Sequence, residues 1–374
     1  MAVRVNKDAF NIREKLSELA VKFGLKGSEL ARAETVQEAR DLVSAGRKNM
    51  VINGAMQIHQ RGYSPTGVTN SYGVDRFVSA ADGLDQYAVA YGQSNQSPDG
   101  FSKSLRVEGT TPETTMDSSE YLRIQHKIEA QSLQHLAFGS NSAKNITVSF
   151  WVRSSLPGDY AFHIWQQDTN QIVTSKYTIV SADTWQFVSF TYSGNTSGVI
   201  DNNNGIGLIL NWILDAASNL TASSGLDAQW ETYNSGSHFA AGHTANFCAS
   251  NNNFYLTGVQ LEVGKNATEF EHRSYGEELA LCQRYFQITG SIGLANATTV
   301  GFSFRNYIQE NVSLVVEMRD TPNPTLVSTI NTFTPSGNGL TVTPKNVVLH
   351  YGPNGITLPS GEYWYGSLNL DSEF

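Results

Sequence analysis

Residues 147–153, TVSFWVR, decide how the chain is read. With Ile146 they alternate strictly. Ile146, Val148, Phe150 and Val152 fall on one side of an extended backbone, and Thr147, Ser149, Trp151 and Arg153 fall on the other. A period of two in β-branched and aromatic residues marks a strand with one face in a core. Residues 160–166 repeat the pattern, with Tyr160, Phe162 and Ile164 set against His163 and Trp165. Further strand-sized runs follow at 176–180, 185–192, 206–214 and 253–263. Asn, Gly and Ser turns separate them, and no helical pattern intervenes. Such a series predicts an antiparallel β-sandwich. Trp212, in line with Ile206, Leu208 and Leu210, and Trp185, at a strand start, read as core residues.

Working toward the N-terminus, residues 51–52 and 86–90 are short strand candidates, with turn signals at Asn53-Gly54 and Asp82-Gly83. The first 48 residues have a different texture. Ile12, Leu16, Leu19 and Phe23 recur at helical spacing and Gly24 follows as a stop. Thr35 and Glu38 form a capping box ahead of the stripe Val36, Ala39, Leu42 and Val43. Two short amphipathic helices cannot bury their apolar faces fully on each other, so they are expected to need a partner.

Toward the C-terminus, residues 277–285, EELALCQRY, predict a short helix with Leu279, Cys282 and Phe286 on its apolar face. Strand signals resume at 299–304, 311–317, 325–330, 340–343, 346–351 and 364–370. Pro322, Pro324, Pro335, Pro344, Pro353 and Pro359 fall mostly between them. The expected fold is therefore mainly β. A helical segment covers 1–48, a central antiparallel sandwich of jelly-roll type covers 49–275, and a short helix with a C-terminal β domain covers 276–374.

Composition narrows the function classes. Only 16% of the 374 residues are charged, below the usual quarter, and Gly, Ser, Thr and Asn take their place. This is the make-up of a β protein that hides much of its surface against partners. A net charge of −9 argues against non-specific binding of nucleic acid, which needs a basic surface. Cys248 and Cys282 belong to no C-x-x-C pair and suit a chain folded in a reducing cytoplasm, although their pairing stays open. No apolar run is long enough to span a membrane, and the first ten residues have no apolar stretch of the signal-peptide kind.

A search for chemistry finds no positive support. Asp75, Asp82, Asp85, Asp99, Glu108 and Glu113 show no spacing that singles out a catalytic pair. There is no G-x-S-x-G elbow, no H-E-x-x-H motif and no glycine-rich phosphate loop. Asp201 to Gly205 superficially matches a calcium loop but lacks its bidentate glutamate, so an Asn/Gly turn is the reading. We therefore expect no enzyme, no metal and no cofactor. The informative residues are Trp151 and Trp165, which sit on the polar sides of their strands beside Arg153 and His163. Packing against another chain is the first reading of these four, because interfaces enrich for Trp and Arg. Stacking on a sugar is the second. Since the two strands follow each other closely, the indoles are expected to lie side by side.

Several segments resemble the virion appendage proteins of bacteriophages, tail and head fibres of jelly-roll type, especially those of marine cyanobacterial phages. Residues 131–153, QSLQHLAFGSNSAKNITVSFWVR, look like their central strand. Residues 49–62, NMVINGAMQIHQRG, are similar to the segment that opens their β region, with His59 where an aromatic is usual. Residues 258–271 (GVQLEVGKNATEFE) and 278–286 (ELALCQRYF) resemble the closing strand and helix. MRDTPNPT at 318–325 and LDSEF at 370–374 resemble their C-terminal domain, and residues 31–49 their virion-anchoring segment. The resemblance implies a structural virion protein, made in the host cytoplasm and carried on the tail or capsid. It further implies docking on tail or capsid proteins through residues 1–48, assembly as a homotrimer, and contact with host surface glycan. No catalytic residue carries over. The alternatives are a lectin-like receptor-recognition protein and a head fibre. A polysaccharide-cleaving tailspike would need a repetitive β-helix, and no such repeat is visible.

Overall fold

The computed structural model describes residues 48–62, 71–84, 87–113, 115–289, 292–295, 309–330, 340–350 and 363–374. The expected N-terminal helices, most of the virion-anchoring resemblance and the strand at 299–304 lie outside the described residues. The chain divides between Lys48 and Asn49, and residues 49–374 form one compact unit.

Two antiparallel sheets make the sandwich. The strands are β1 (Ser71–Val74), β2 (Phe77–Asp82), β3 (Ala88–Ser94), β4 (Ser104–Thr111), β5 (Tyr121–Glu129) and β6 (Ile146–Ser154). They continue with β7 (Gly158–Gln166), β8 (Gln171–Ile179), β9 (Gln186–Tyr192), β10 (Ile206–Ala216), β11 (Glu231–Thr232) and β12 (Asn253–Val263). Seven strands pair in the order β1-β2-β5-β10-β7-β8-β11, and five in the order β3-β4-β12-β6-β9. The fold is thus mainly β and sandwich-like, as the alternation of apolar residues predicts.

The core is a set of interlocked aromatic rings contributed by both sheets. Phe150 of β6 lies 5.4 Å from Phe162 of β7 and 5.6 Å from Trp212 of β10. Phe162 and Trp212 are themselves 5.2 Å apart, and all three are buried. Rings at such separations in tilted and edge-on arrangements combine large buried area with favourable quadrupole contacts. The sequence places Trp212 in the core correctly.

One expected strand is absent. Residues 51–52 form part of a turn region, because asparagine side chains take the place of a ladder. Asn49 Oδ1 accepts from the Val51 amide at 2.9 Å, and Asn53 Oδ1 accepts from the Ile58 amide at 2.9 Å. Asn53 itself stands at φ 61°, a backbone state asparagine tolerates better than most residues.

A long excursion between β10 and β12 covers part of the outer face of the seven-stranded sheet. It contains β11 and a one-turn helix α1 (Ser235–His238), whose N-cap Asn234 accepts from the Gly236 amide. Leu220, Phe239 and Ala240 of the excursion pack on Ala161 of β7 and Ile213 of β10 in a second, smaller apolar cluster.

After the sandwich comes α2 (Tyr275–Gln283), capped by Ser274, whose hydroxyl accepts from the Glu277 amide. Cys282 of its apolar face is buried and Leu279 half-buried, whereas Phe286 belongs to the following strand. Strands β13 (Phe286–Ile288), β14 (Ile292–Ala295), β15 (Gln309–Ser313), β16 (Asn323–Ile330), β17 (Leu340–Val342), β18 (Asn346–His350) and β19 (Tyr363–Asp371) complete the described chain. β13, β14 and β16 pair with β19, and β15-β18-β17 form a separate sheet. This region is joined to the sandwich by charged groups. Arg284 Nε meets Glu129 Oε1 at 2.8 Å, and Arg76 pairs with Glu373 while lying 3.4 Å over the Tyr285 ring.

Candidate functional site

The four residues singled out in the sequence fall into two pairs on opposite sides of the sandwich. β6 pairs with β12 and β9, and β7 pairs with β10 and β8, so the strands are not neighbours. Trp151 and Arg153 stand on the outer face of the five-stranded sheet. Trp165 and His163 stand on the outer face of the seven-stranded sheet. The expectation that the indoles lie side by side is therefore corrected: a short connection between strands carries the chain from one sheet to the other.

The outer face of the five-stranded sheet is aromatic. Trp151 is cross-strand neighbour to Phe187, with ring centroids 5.4 Å apart, and Phe187 is 46% exposed. Trp185 meets Tyr255 edge-on at 6.2 Å. Trp185 is half-buried on this face rather than in the core. A β-bulge in β12 at Gly258, with φ +62°, lets rings approach the backbone: a Cβ there would lie 2.7 Å from Phe101 Cζ and 3.0 Å from Trp151 Cδ1. The cations of this face are already paired. Arg153 Nη2 lies 2.9 Å from Asp183 and its guanidinium 5.1 Å from the centre of the Tyr255 ring, while Arg106 lies 3.0 Å from Glu108.

The outer face of the seven-stranded sheet combines rings with polar groups. Gln125 of β5, Asn211 of β10, His163 of β7 and Thr174 of β8 are successive cross-strand neighbours, so four polar side chains form one row across four strands. All four are buried. The His163 and Thr174 end of the row holds the excursion. Thr174 Oγ1 donates to the His238 carbonyl at 2.8 Å, and His163 Nδ1 lies 2.8 Å from the Phe239 carbonyl. Because a carbonyl oxygen only accepts, Nδ1 carries the proton and Nε2 is left as an acceptor. Burial, with Arg123 nearby, pushes the His163 pKa down to about 3, so the ring is neutral.

At the other end of the row β5 continues the face with Arg123 and the half-buried Tyr121, whereas the half-buried rings of Trp165 and Tyr233 lie by β7 and β8. Gln125 Nε2 donates to Asn211 Oδ1 at 2.8 Å in one orientation of its amide. Turned over, its oxygen accepts from Arg123 Nε and Nη2 at 3.3 and 3.2 Å. Arg123 lies 4.8 Å over the Tyr121 ring and 5.3 Å over Phe239. Tyr233, from the excursion, also acts on Arg123 and stacks against Trp165 with centroids 5.4 Å apart and planes at 29°. The Trp165 indole is steadied by its Nε1, which donates to Asn170 Oδ1 at 3.2 Å, and the Tyr233 amide donates to the Asn170 carbonyl. Asn170, at φ 52°, thereby orders both rings. The strip Tyr121, Arg123, Tyr233 and Trp165 offers flat apolar surface beside directed donors and acceptors, the combination a sugar requires.

Arg153 does not join this strip, and His163 lies beneath the excursion. Arg123, Gln125 and Asn211 escape attention in the sequence. Tyr121, Arg123, Gln125 and Lys127 share one parity of β5, opposite Leu122, Ile124 and Ile128, and that alternation is the signal that points to them. Tyr233 lies in an irregular segment and carries no such signal.

Among the described residues, no group of three or more His, Cys, Asp or Glu side chains is placed to hold a metal ion. Cys248 and Cys282 are free thiols, both buried. No helix among the described residues is long and apolar enough to cross a membrane.

No protein-family model matches the chain, and no curated protein matches it. Among solved structures, it is similar to the enzymatically active domain of tailspike protein 4 of bacteriophage CBA120, at 11% identity and TM-score 0.32. That match covers 58% of this chain and 21% of the tailspike chain. The carbohydrate-binding module TmCBM61, solved with β-1,4-galactotriose, matches at 8% identity and TM-score 0.29, over 58% of this chain and all of the module. A family 11 carbohydrate-binding module of Clostridium thermocellum Lic26A-Cel5E matches at 13% identity and TM-score 0.28, over 56% of this chain and all of the module. At these scores the likenesses carry no argument about what this chain binds or does.

Proposed function

We propose that this protein is a structural component of a bacteriophage virion appendage whose sandwich binds glycan on the outer face of its seven-stranded sheet, without catalysis. The observation that carries the glycan reading is the strip formed by Trp165, Tyr233, Arg123 and Tyr121 beside the Gln125–Asn211 amide pair. Rings give a sugar its apolar contact, and Arg123, held in place by the rings and the buried Gln125–Asn211 amides, gives it a directed donor. The virion reading is supported by the sequence resemblance in residues 31–62, 131–153, 258–271, 278–286, 318–325 and 370–374. Assembly as a trimer belongs to the same proposal, supported by the low charge of the chain. Light scattering on purified protein tests it, and a monomer at micromolar concentration sinks it.

The glycan reading is tested by retention on immobilised bacterial surface polysaccharides, comparing the unaltered protein with Tyr233→Ala. The expected result is retention that the substitution weakens about fivefold, the effect of losing one stacked ring at ~1 kcal/mol. Equal retention of both proteins would remove the strip from the function.

A further inference from the structure

We infer that the glycan recognised at this strip bears a carboxylate, a uronic or other acidic sugar, and that Arg123 is the residue that reads it. This rests on the glycan reading above and adds the chemical class of the ligand. The basis is a contrast among the arginines. Arg61, Arg76, Arg106, Arg153, Arg273 and Arg284 each pair with a carboxylate. Arg319 donates to the main-chain carbonyls of Asn204, Ser372 and Glu373. Arg123 makes neither kind of contact among the described residues. Its neighbours are the faces of Tyr121 and Phe239, Tyr233 and the amide of Gln125. Asp82, two residues along β2 from the cross-strand neighbour of Arg123, acts on it electrostatically but forms no ion pair with it.

The physical consequence is direct. Burial pulls the Arg123 guanidinium down from the ordinary arginine value, so the charged form is under-compensated where it stands. A guanidinium stays protonated regardless, and its planar fork matches a carboxylate through two parallel hydrogen bonds. Rings on either side exclude water and strengthen such a pair. Tyr233 acts on Arg123 from the same face and carries Trp165 stacked on its other side, so a sugar ring can stack at Tyr233 and Trp165 while its carboxylate, or that of the next residue, reaches Arg123. The opposite face of the sandwich lacks this capacity, because Arg153 and Arg106 are already matched by Asp183 and Glu108.

The test uses matched ligands on the full chain. Oligogalacturonate, oligomannuronate and oligoglucuronate are each compared with their carboxyl-reduced, neutral counterparts by isothermal titration. At least one acid is expected to bind, with its reduced form roughly ten- to hundredfold weaker, the range for a charged hydrogen-bonded pair. Arg123→Met should abolish that difference, whereas Arg123→Lys should restore part of it, since lysine keeps the charge but not the fork. Trp165→Ala should weaken acid and neutral forms alike. Equal binding of acidic and neutral forms, with Trp165→Ala still weakening both, overturns the carboxylate inference and leaves the glycan reading standing. An acid preference untouched in Arg123→Met overturns the assignment to Arg123. Absence of binding by every sugar overturns the glycan reading and this inference with it.

Discussion

On the outer face of the five-stranded sheet, Trp151, Phe187, Trp185 and Tyr255 lie among cations whose charge is already met by Asp183 and Glu108. On the outer face of the seven-stranded sheet, Tyr121, Phe239 and Tyr233 surround a guanidinium that no carboxylate pairs among the described residues, and Trp165 extends the rings beyond Tyr233. Both faces are aromatic, so ring content does not tell them apart. What differs is the state of the polar groups between the rings. A face whose charges are closed gains chiefly from apolar contact, as in packing against protein. A face with an unmatched guanidinium gains from an acidic polyol, because a carboxylate compensates a charge that burial leaves unpaired.

The largest expected effect tests whether the two faces share one foundation. Trp212 touches Phe77 and Phe162 within the seven-stranded sheet and Phe150 across the core. Trp212→Ala should cost about 3–5 kcal/mol, the range for a fully buried large ring. Chemical denaturation measures it, and a loss below about 1 kcal/mol, the size of a surface change, would show that the sheets do not depend on a common core.

Asp215 ties the seven-stranded sheet to the loop that leads into β12. It sits at a register shift in β10, and its carboxylate accepts from the amides of Ala216 and Cys248, the latter in the turn that leads toward β12. Burial raises its pKa to about 6, against the pull of those two amides. A carboxyl with a raised folded-state pKa takes up its proton more readily in the folded chain than in the unfolded one. Its contribution is therefore greatest below about pH 4 and falls as pH rises toward about 6, by on the order of 2–3 kcal/mol. Denaturation midpoints at acidic and neutral pH should show this decline in the wild type and lack it in Asp215→Asn. Parallel pH profiles for the two proteins would refute the assignment.

A smaller effect divides the faces directly. Trp165→Ala should weaken glycan retention about tenfold with little loss of stability, whereas Trp151→Ala should leave retention unchanged. If Trp151→Ala is the variant that loses retention, the two faces exchange roles. The smallest effect concerns charge. Asp183→Asn breaks an ion pair with Arg153 that is partly open to solvent, so it should cost no more than about 1 kcal/mol and less at high salt. A larger cost, insensitive to salt, would mean that the five-stranded face is more closed to water than its geometry shows.

How much of this is legible in the sequence differs from element to element. β6, β7, β9, β10 and β12 stand close to where alternation puts them, because each has one face in the core and a one-residue slip would expose that whole face. The helix α2 is legible from its glutamates and apolar spacing, since those cues act within one or two turns. The turn at 51–58 is harder: Val51 and Ile58 are as buried as strand residues, yet asparagine side chains at 49 and 53 satisfy the backbone instead of a neighbouring strand. Trp185 misleads for a similar reason, since a tryptophan at a strand edge covers apolar surface on either face equally well.

What the sequence by itself determined is which side chains share a face within one strand, since a pleated backbone sends alternate residues to opposite sides. That is enough to call the protein a β-sandwich and to mark Trp151, Arg153, His163 and Trp165 as facing away from the core. Which strands adjoin was decided only by the tertiary structure, because pairing depends on contacts between residues far apart in the chain. It sent β6 and β7 to different sheets and so parted the two tryptophans. It drew Tyr233 in from the excursion to stack on Trp165, aligned Gln125, Asn211 and His163 across three strands, and left Arg123 among rings without a carboxylate. None of these juxtapositions has a local signal, and together they make the site.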